Sequence, residues 1–276
     1  MKTIHTLRKV SLATFLTFVL SFSSVFAQND TMYIMKSGAI VGQYNVNTEV
    51  DSVIFYKPTI KEPTSGTFID SRDGNEYNWV QIGDQVWMAE NLAYLPSVNM
   101  VADGSEYAAG SYYYVYDYDG TNVADAKATA NYNTYGVLYN WTAAMDGEAS
   151  STTNPSGIQG VCPAGWHLPS DAEWTELTDY LGGESVAGGK LKETGTTHWA
   201  SPNTGATNET GFTALPGGGR DGGGAFLYVG STGCWWGATE GSAASAWDRG
   251  LFSGSSSVGR FGNAEEVGFS VRCVRD

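Results

Sequence analysis

Positive charge is scarce in this chain. Of 276 residues, 15 are Lys or Arg against 29 Asp and Glu, a formal charge of −14. A nucleic-acid surface neutralises phosphates with a basic footprint, so that class of partner is excluded. Cysteine and histidine are scarcer, three of each, and none falls in the paired spacings of a zinc site. A catalytic histidine would need a partner, yet beyond residue 27 there are only His167 and His198, in no HxH or HxxxH pattern. The apolar run at residues 10–25 is short for a bilayer span. What the chain has in abundance is Gly (35), Tyr (16) and Trp (9). That balance points to short strands, long loops and packing by aromatic rings. Carboxylates and carbonyls are plentiful, so a weak structural Ca²⁺ stays open, with no other cofactor expected.

Residues 1–27 read as a secretory signal peptide. Lys2, Arg8 and Lys9 precede the apolar run, and Val25 and Ala27 are small residues at the cleavage positions. No Cys follows the run to accept a lipid. The expected mature protein is exported to the cell surface, extracellular space or periplasm, with no membrane span, and has about 250 residues, room for one large domain or two small ones.

Three short strands, at 32–35, 40–46 and 52–56, make residues 28–57 a small β unit that ends at Pro58. Residues 58–66 are polar and aperiodic and read as a linker. The main domain runs from 67 to 276. It opens on a hairpin, Trp79 to Trp87, turning at Gly83-Asp84 in the manner of a type II′ turn. "SYYYVYDYDG" (111–120) is an aromatic strand, either a packed sheet surface or a binding platform. Leu138, Trp141 and Met145 share one face of a helix over 135–145. Trp174, Leu177 and Leu181 repeat the spacing in a second helix over 171–181, stopped by Gly182-Gly183. Strand-like islands follow at 211–216, 225–230, 234–239 and 268–274.

"GVCPAGWHLPSDAEWTEL" (160–177) gathers Cys, His, Asp and Glu. Ser170-x-x-Glu173 is a capping box, in which both side chains satisfy helix-terminal amides, and Asp171 and Glu173 suit the positive end of the helix dipole. Both acids therefore have a structural role at the start of the helix. In an exported chain a disulfide persists. Three Cys allow three pairings; Cys162 with Cys273 is expected, because "SVRCV" is a strand able to run beside the helix start. Closing that loop contributes roughly 4–5 kcal/mol in the chain-entropy model. Cys234 is left over, with no placed base to activate it.

In order along the chain, "IGDQVWMAENL", "YGVLYNW", "CPAGWHLPSDAEWTEL", "GFTALPGGGRDGGGAF", "WWGATE" and "GFSVRCVRD" resemble the Fibrobacter succinogenes major paralogous domain family over residues 67–276. The N-terminal segment is similar to a short leader unit of exported Bacteroidetes proteins. The resemblance implies an α+β, C-type-lectin-like fold with two helices, a small twisted, mostly antiparallel sheet and long Gly-rich loops. It carries no settled activity. Lectin-type calcium triplets find only "SPN" (201–203) and "AWD" (246–248), and the two-cysteine copper site of the related formylglycine-generating enzymes finds only Cys234 and Cys273. Neither chemistry is supported.

Residues 217–266 mix small residues with Trp, Tyr, Phe, Arg and Asp. The tract is either plain surface loop and strand or a binding face, where aromatic and Arg side chains give large contacts and Ser and Gly adapt. It also resembles the variable C-terminal segments of retroelement-diversified lectin-fold proteins. The expectation is a non-catalytic ligand-binding or adhesion protein, engaging a surface protein or glycan through Tyr228, Trp235, Trp247, Asp248, Arg249, Phe252, Arg260 and Phe261, with Trp236 in the core. Two alternatives stand beside it. One is an extracellular enzyme on glycans or proteins drawing on Glu90, Asp221 or Asp248; the other is a structural subunit docking to a surface assembly through an edge strand at 32–56.

Overall fold

The computed structural model describes residues 31–36, 38–45, 47–49, 64–104 and 110–276. The signal peptide, the strand expected at 52–56 and most of the linker lie outside the described residues. The chain divides between Glu62 and Pro63 into two units. The first contains an antiparallel hairpin, β1 (Thr31–Lys36) and β2 (Ala39–Asn45), with Gly38 at φ +82° in its turn.

The second unit is α+β, with five helices and several small antiparallel sheets among the described residues. β3 (Ser65–Ile69), β4 (Glu76–Ile82) and β5 (Gln85–Met88) form a meander. β4 and β5 meet at Gly83-Asp84, where Gly83 has φ +64° and Asp84 stays at negative φ, as a II′ turn requires. The sheet continues through β14 (Val274–Arg275) to β8 (Trp166–His167), in the order β3-β4-β5-β14-β8. β6 (Tyr113–Tyr114) pairs with β7 (Leu138–Tyr139), and β9 (Gly219–Arg220) with β10 (Phe226–Leu227). A second sheet is the meander β11 (Thr232–Ser242), β12 (Ser245–Phe252) and β13 (Val258–Ala264).

The helices are α1 (Val123–Lys127), α2 (Ala130–Tyr135), α3 (Trp141–Met145), α4 (Asp171–Tyr180) and α5 (Glu184–Leu191). The single helix expected over 135–145 is corrected. Gly136 at φ +74° ends α2, residues 138–139 enter β7, and Asn140 starts α3 by accepting from the Ala143 amide at 3.0 Å. The apolar spacing was real, but a left-handed glycine and a new cap divide it. α5 went unread because its centre is Gly188-Gly189. Those glycines are needed for packing: a Cβ on Gly188 would meet the Ser257 carbonyl, and one on Gly189 the Gly205 carbonyl. The island at 211–216 is no strand, only an isolated bridge from Ala214 to Lys192. Of 111–120 only two residues pair, and both are buried.

The 160–177 stretch is architecture. The capping box is present, with Glu173 N donating to Ser170 Oγ at 3.2 Å and Ser170 N to Glu173 Oε2 at 2.9 Å. Buried His167 bridges Glu173 Oε1 (2.6 Å) and Asp276 Oδ1 (2.8 Å). Burial disfavours its imidazolium, yet the two carboxylates outweigh that and raise its pKa. Cys162 and Cys273 form the expected disulfide. Two aromatic cores result. One surrounds Trp141, Trp166, Trp236 and the disulfide, and the other surrounds Trp87, Trp174, Trp199, Phe212 and Trp235. Trp235 and Trp236 part company because successive strand residues face opposite ways.

Candidate ligand-binding site

The β11–β12–β13 sheet sorts its side chains by alternation. In register, Trp235 lies opposite Arg249 and Arg249 opposite Arg260, while Trp236 lies opposite Asp248 and Asp248 opposite Phe261. Directly opposed residues share a face. Trp235, Trp247, Arg249 and Arg260 therefore take one face, and Asp248, Phe252 and Phe261 the other.

The first face holds helix α4. Arg249 Nη1 donates to Asp171 Oδ1 at 2.7 Å, and its Nη2 to the Asp171 carbonyl and Thr175 Oγ1. Arg260 reaches both Asp171 oxygens, at 2.8 and 2.9 Å, with its guanidinium 3.5 Å from the Trp247 ring centroid. Burial works to raise the Asp171 pKa, but the bonds from Arg260 and Arg249 outweigh it and hold the carboxyl below its ordinary value. Two expectations are corrected here. Trp235 and Arg249 are buried on the α4 face, turned from the other side of the sheet, and neither lines the cavity there. Trp235 lies in the core and donates Nε1 to Asn91 Oδ1 at 2.8 Å, and the two Nη atoms of Arg249 are held by Asp171 and Thr175, its Nε alone lacking a partner. Trp247 and Arg260 reach the surface, but on this face.

The second face floors a cavity of about 500 Å³. Gly250 and Gly259 leave the sheet bare beneath the rings of Phe252 and Phe261, which meet edge to face with centroids 6.0 Å apart. A Cβ on Gly259 would collide with the Phe261 ring. The β9–β10 hairpin, with Leu227, and the segment carrying Val267 and Phe269 complete the walls. At Gly218, φ +65° lets the chain pass the Leu227 carbonyl where a Cβ would clash. Tyr228 stands at the rim, 66% exposed and at φ +66°. A left-handed tyrosine is costly backbone of the kind that gathers at functional sites.

Asp248 is the chemical centre of the cavity. It is 0% exposed. Its Oδ1 accepts from Asn263 Nδ2 at 2.7 Å, and its Oδ2 has no hydrogen-bond partner. Burial pushes its pKa up to about 7, against opposing pulls from Asn263 and Arg249. Cys234, half-buried beside it, is the unpaired cysteine. Burial first, then the Asp248 charge, pushes its thiol well above the ordinary value, so it is no thiolate nucleophile. Arg220 also lines the cavity, but its guanidinium donates to the carbonyls of Val101, Asp103 and Glu266.

Tyr228, Asp248, Phe252 and Phe261 thus converge on one cavity, and the other four expected contacts do not. Asn263, Cys234, Thr232 and Phe269 also line it and were missed as contacts. The signal available was period two: positions 248, 250 and 252 on one strand, and 259, 261 and 263 on the next. Among the described residues no three His, Cys, Asp or Glu side chains gather as metal ligands, and no helix is long and apolar enough to cross a membrane.

A family model described as the Fibrobacter succinogenes major domain matches residues 80–275. No curated protein and no solved structure matches the chain.

Proposed function

The chain belongs to the Fibrobacter succinogenes major domain family, and from that premise we propose that it is an exported, non-catalytic ligand-binding or adhesion protein. It recognises a surface protein or glycan through the face around Asp248. The observation that carries this reading is the convergence of four aromatic or acidic residues on one cavity that holds a buried, half-satisfied carboxyl. A concave, mostly apolar site with a few placed polar groups is the usual form of a ligand site. Export is supported by residues 1–27 and by the Cys162–Cys273 disulfide, which persists in oxidising compartments. The C-type-lectin-like fold is supported by helices α4 and α5 beside small antiparallel sheets and long loops. On such a scaffold the Gly- and Ser-rich tract around the cavity is also where retroelement diversification would act.

Capture on a glycan and bacterial-surface array tests the reading. The double variant Tyr228→Ala, Phe261→Ala should lose binding about tenfold or more while its Tm stays within roughly 3 °C of the parent. Undiminished capture by that variant would overturn it. A second, hydrolytic reading is favoured by one observation: Asp221 and Asp248 line the same cavity. Glu90 is elsewhere, accepting from the Asn78 amide and side chain. Turnover of glycan substrates that is abolished by Asp248→Asn would select the hydrolytic reading.

A further inference from the structure

The polar inventory of the Asp248 cavity is lopsided. Asn263 and Cys234 lie near Asp248, Thr232 pairs with Phe252 farther along the sheet, and Phe252, Phe261, Phe269, Leu227 and Val267 make the walls. Asn263 already occupies Asp248 Oδ1, so Oδ2 is the acceptor left over. A buried carboxylate oxygen with no donor costs free energy that a ligand donor would recover.

The surrounding charges narrow the choice. Trp236 of β11 lies opposite Asp248, the Cys234 thiol two residues away on the same strand feels its charge, and the Asn263 amide from β13 bonds it; Arg249 is its neighbour on β12, and Arg220 and Asp221 line the cavity from the β9 side. Arg249 is committed to Asp171, and Arg220 to three backbone carbonyls. An anionic ligand would therefore meet two carboxylates and no cation aimed at it. A neutral sugar ring carries hydroxyls around its whole edge, and most of them would lie against phenyl and aliphatic walls without partners. A ligand with one charged donor at the tip of an apolar stem fits both the acceptor and the walls. Aromatic faces add attraction for a cation, and the chain's charge of −14 favours its approach.

We propose that the cavity binds a protonated alkylammonium group, with its head on Asp248 Oδ2 and its methylene stem against Phe252, Phe261 and Phe269. This rests on the binding-protein reading above and names the chemistry the site takes. The ammonium binds the ionised carboxylate. With the Asp248 pKa pushed up to about 7, binding releases a proton and weakens as pH falls through neutrality.

The test is isothermal titration of the mature protein with Nα-acetyl-lysinamide at pH 6, 7 and 8. Its Nε-acetylated counterpart and glucosamine serve as the other arms. The lysine probe should bind at least about tenfold tighter than the Nε-acetylated one, since a charged hydrogen bond is lost. Its affinity should fall about tenfold between pH 8 and pH 6, in proportion to the ionised fraction of Asp248. Asp248→Asn should lose about tenfold or more. Phe261→Ala, altered at a half-exposed ring, should weaken binding with Tm held. Binding of the lysine probe well above glucosamine supports the methylene stem on the apolar walls; glucosamine binding as tightly as the lysine probe overturns it. Equal binding of the Nε-acetylated probe, no binding by either ammonium probe, or affinity unchanged in Asp248→Asn overturns the proposal. The wider binding reading survives that failure if Tyr228→Ala, Phe261→Ala still abolishes capture on the array.

Discussion

The two faces of the β11–β12–β13 sheet carry the same kinds of residue for different ends. On the α4 face an aspartate, Asp171, is met by two arginines, and both its oxygens are filled. On the cavity face an aspartate, Asp248, has one oxygen filled and one empty of partners. Aromatic rings follow the same division: Trp235 is sealed in a core, while Phe261 is 43% exposed. Residue type alone does not mark a binding site. The useful distinction is whether the polar valences of a side chain are already used.

If the α4 face is architecture, altering it should unfold the protein before it affects any ligand. Trp235→Ala should cost about 3–5 kcal/mol, measured by chemical denaturation; a smaller loss would mean the sheet can leave the core intact. Arg249→Met strips buried bonds from Asp171 but leaves Arg260, so the cost is about 2 kcal/mol, with ligand capture unchanged per folded molecule. Loss of capture without loss of stability in that variant would break the division between faces.

The cavity face should instead speak through pH. Native Asp248 keeps its proton up to about pH 7, whereas an ordinary aspartate releases it near 3.8. Between those values the native state binds more protons, so stability falls as pH rises and levels off above 7. His167, with its raised pKa, pushes the same way. The diagnostic is therefore the difference between parent and Asp248→Asn across pH 4–8: the parent should lose more stability than the variant as pH rises. Parallel curves would remove Asp248 as a buried acid. The smallest effect belongs to Arg260→Ala, about 0.5–1 kcal/mol for a surface ring contact and ion pair.

Much of the frame was legible from residues. Ser170 and Glu173 announced their helix start, Gly83-Asp84 its hairpin, and Cys162 and Cys273 their pairing, because each depends on local chemistry or on a short list of options. The helix at 135–145 misled because apolar spacing outlasts the helix itself; Gly136 and Asn140 were the cues. The site was half legible. Residues 245–264 hold one β-branched residue, Val258, and carry Gly250, Gly254, Gly259 and Gly262, so the alternation that separates Asp248 from Arg249 was hidden. Without the register, neighbours such as Trp247, Asp248 and Arg249 look alike. Phe269 reaches the cavity from a distant segment, which no local pattern reveals.

The place of β14 has a consequence for how the protein is made. Val274 pairs with Trp87 on one side and His167 on the other, so the five-stranded sheet is joined through the strand that follows all its others along the chain. A chain emerging N-terminus first would display β5 with an open edge until that segment arrived. The sheet is complete only when β14 docks between β5 and β8, with the Cys162–Cys273 bridge beside it. A chain clipped just before Cys273 would keep that edge open to other copies of itself.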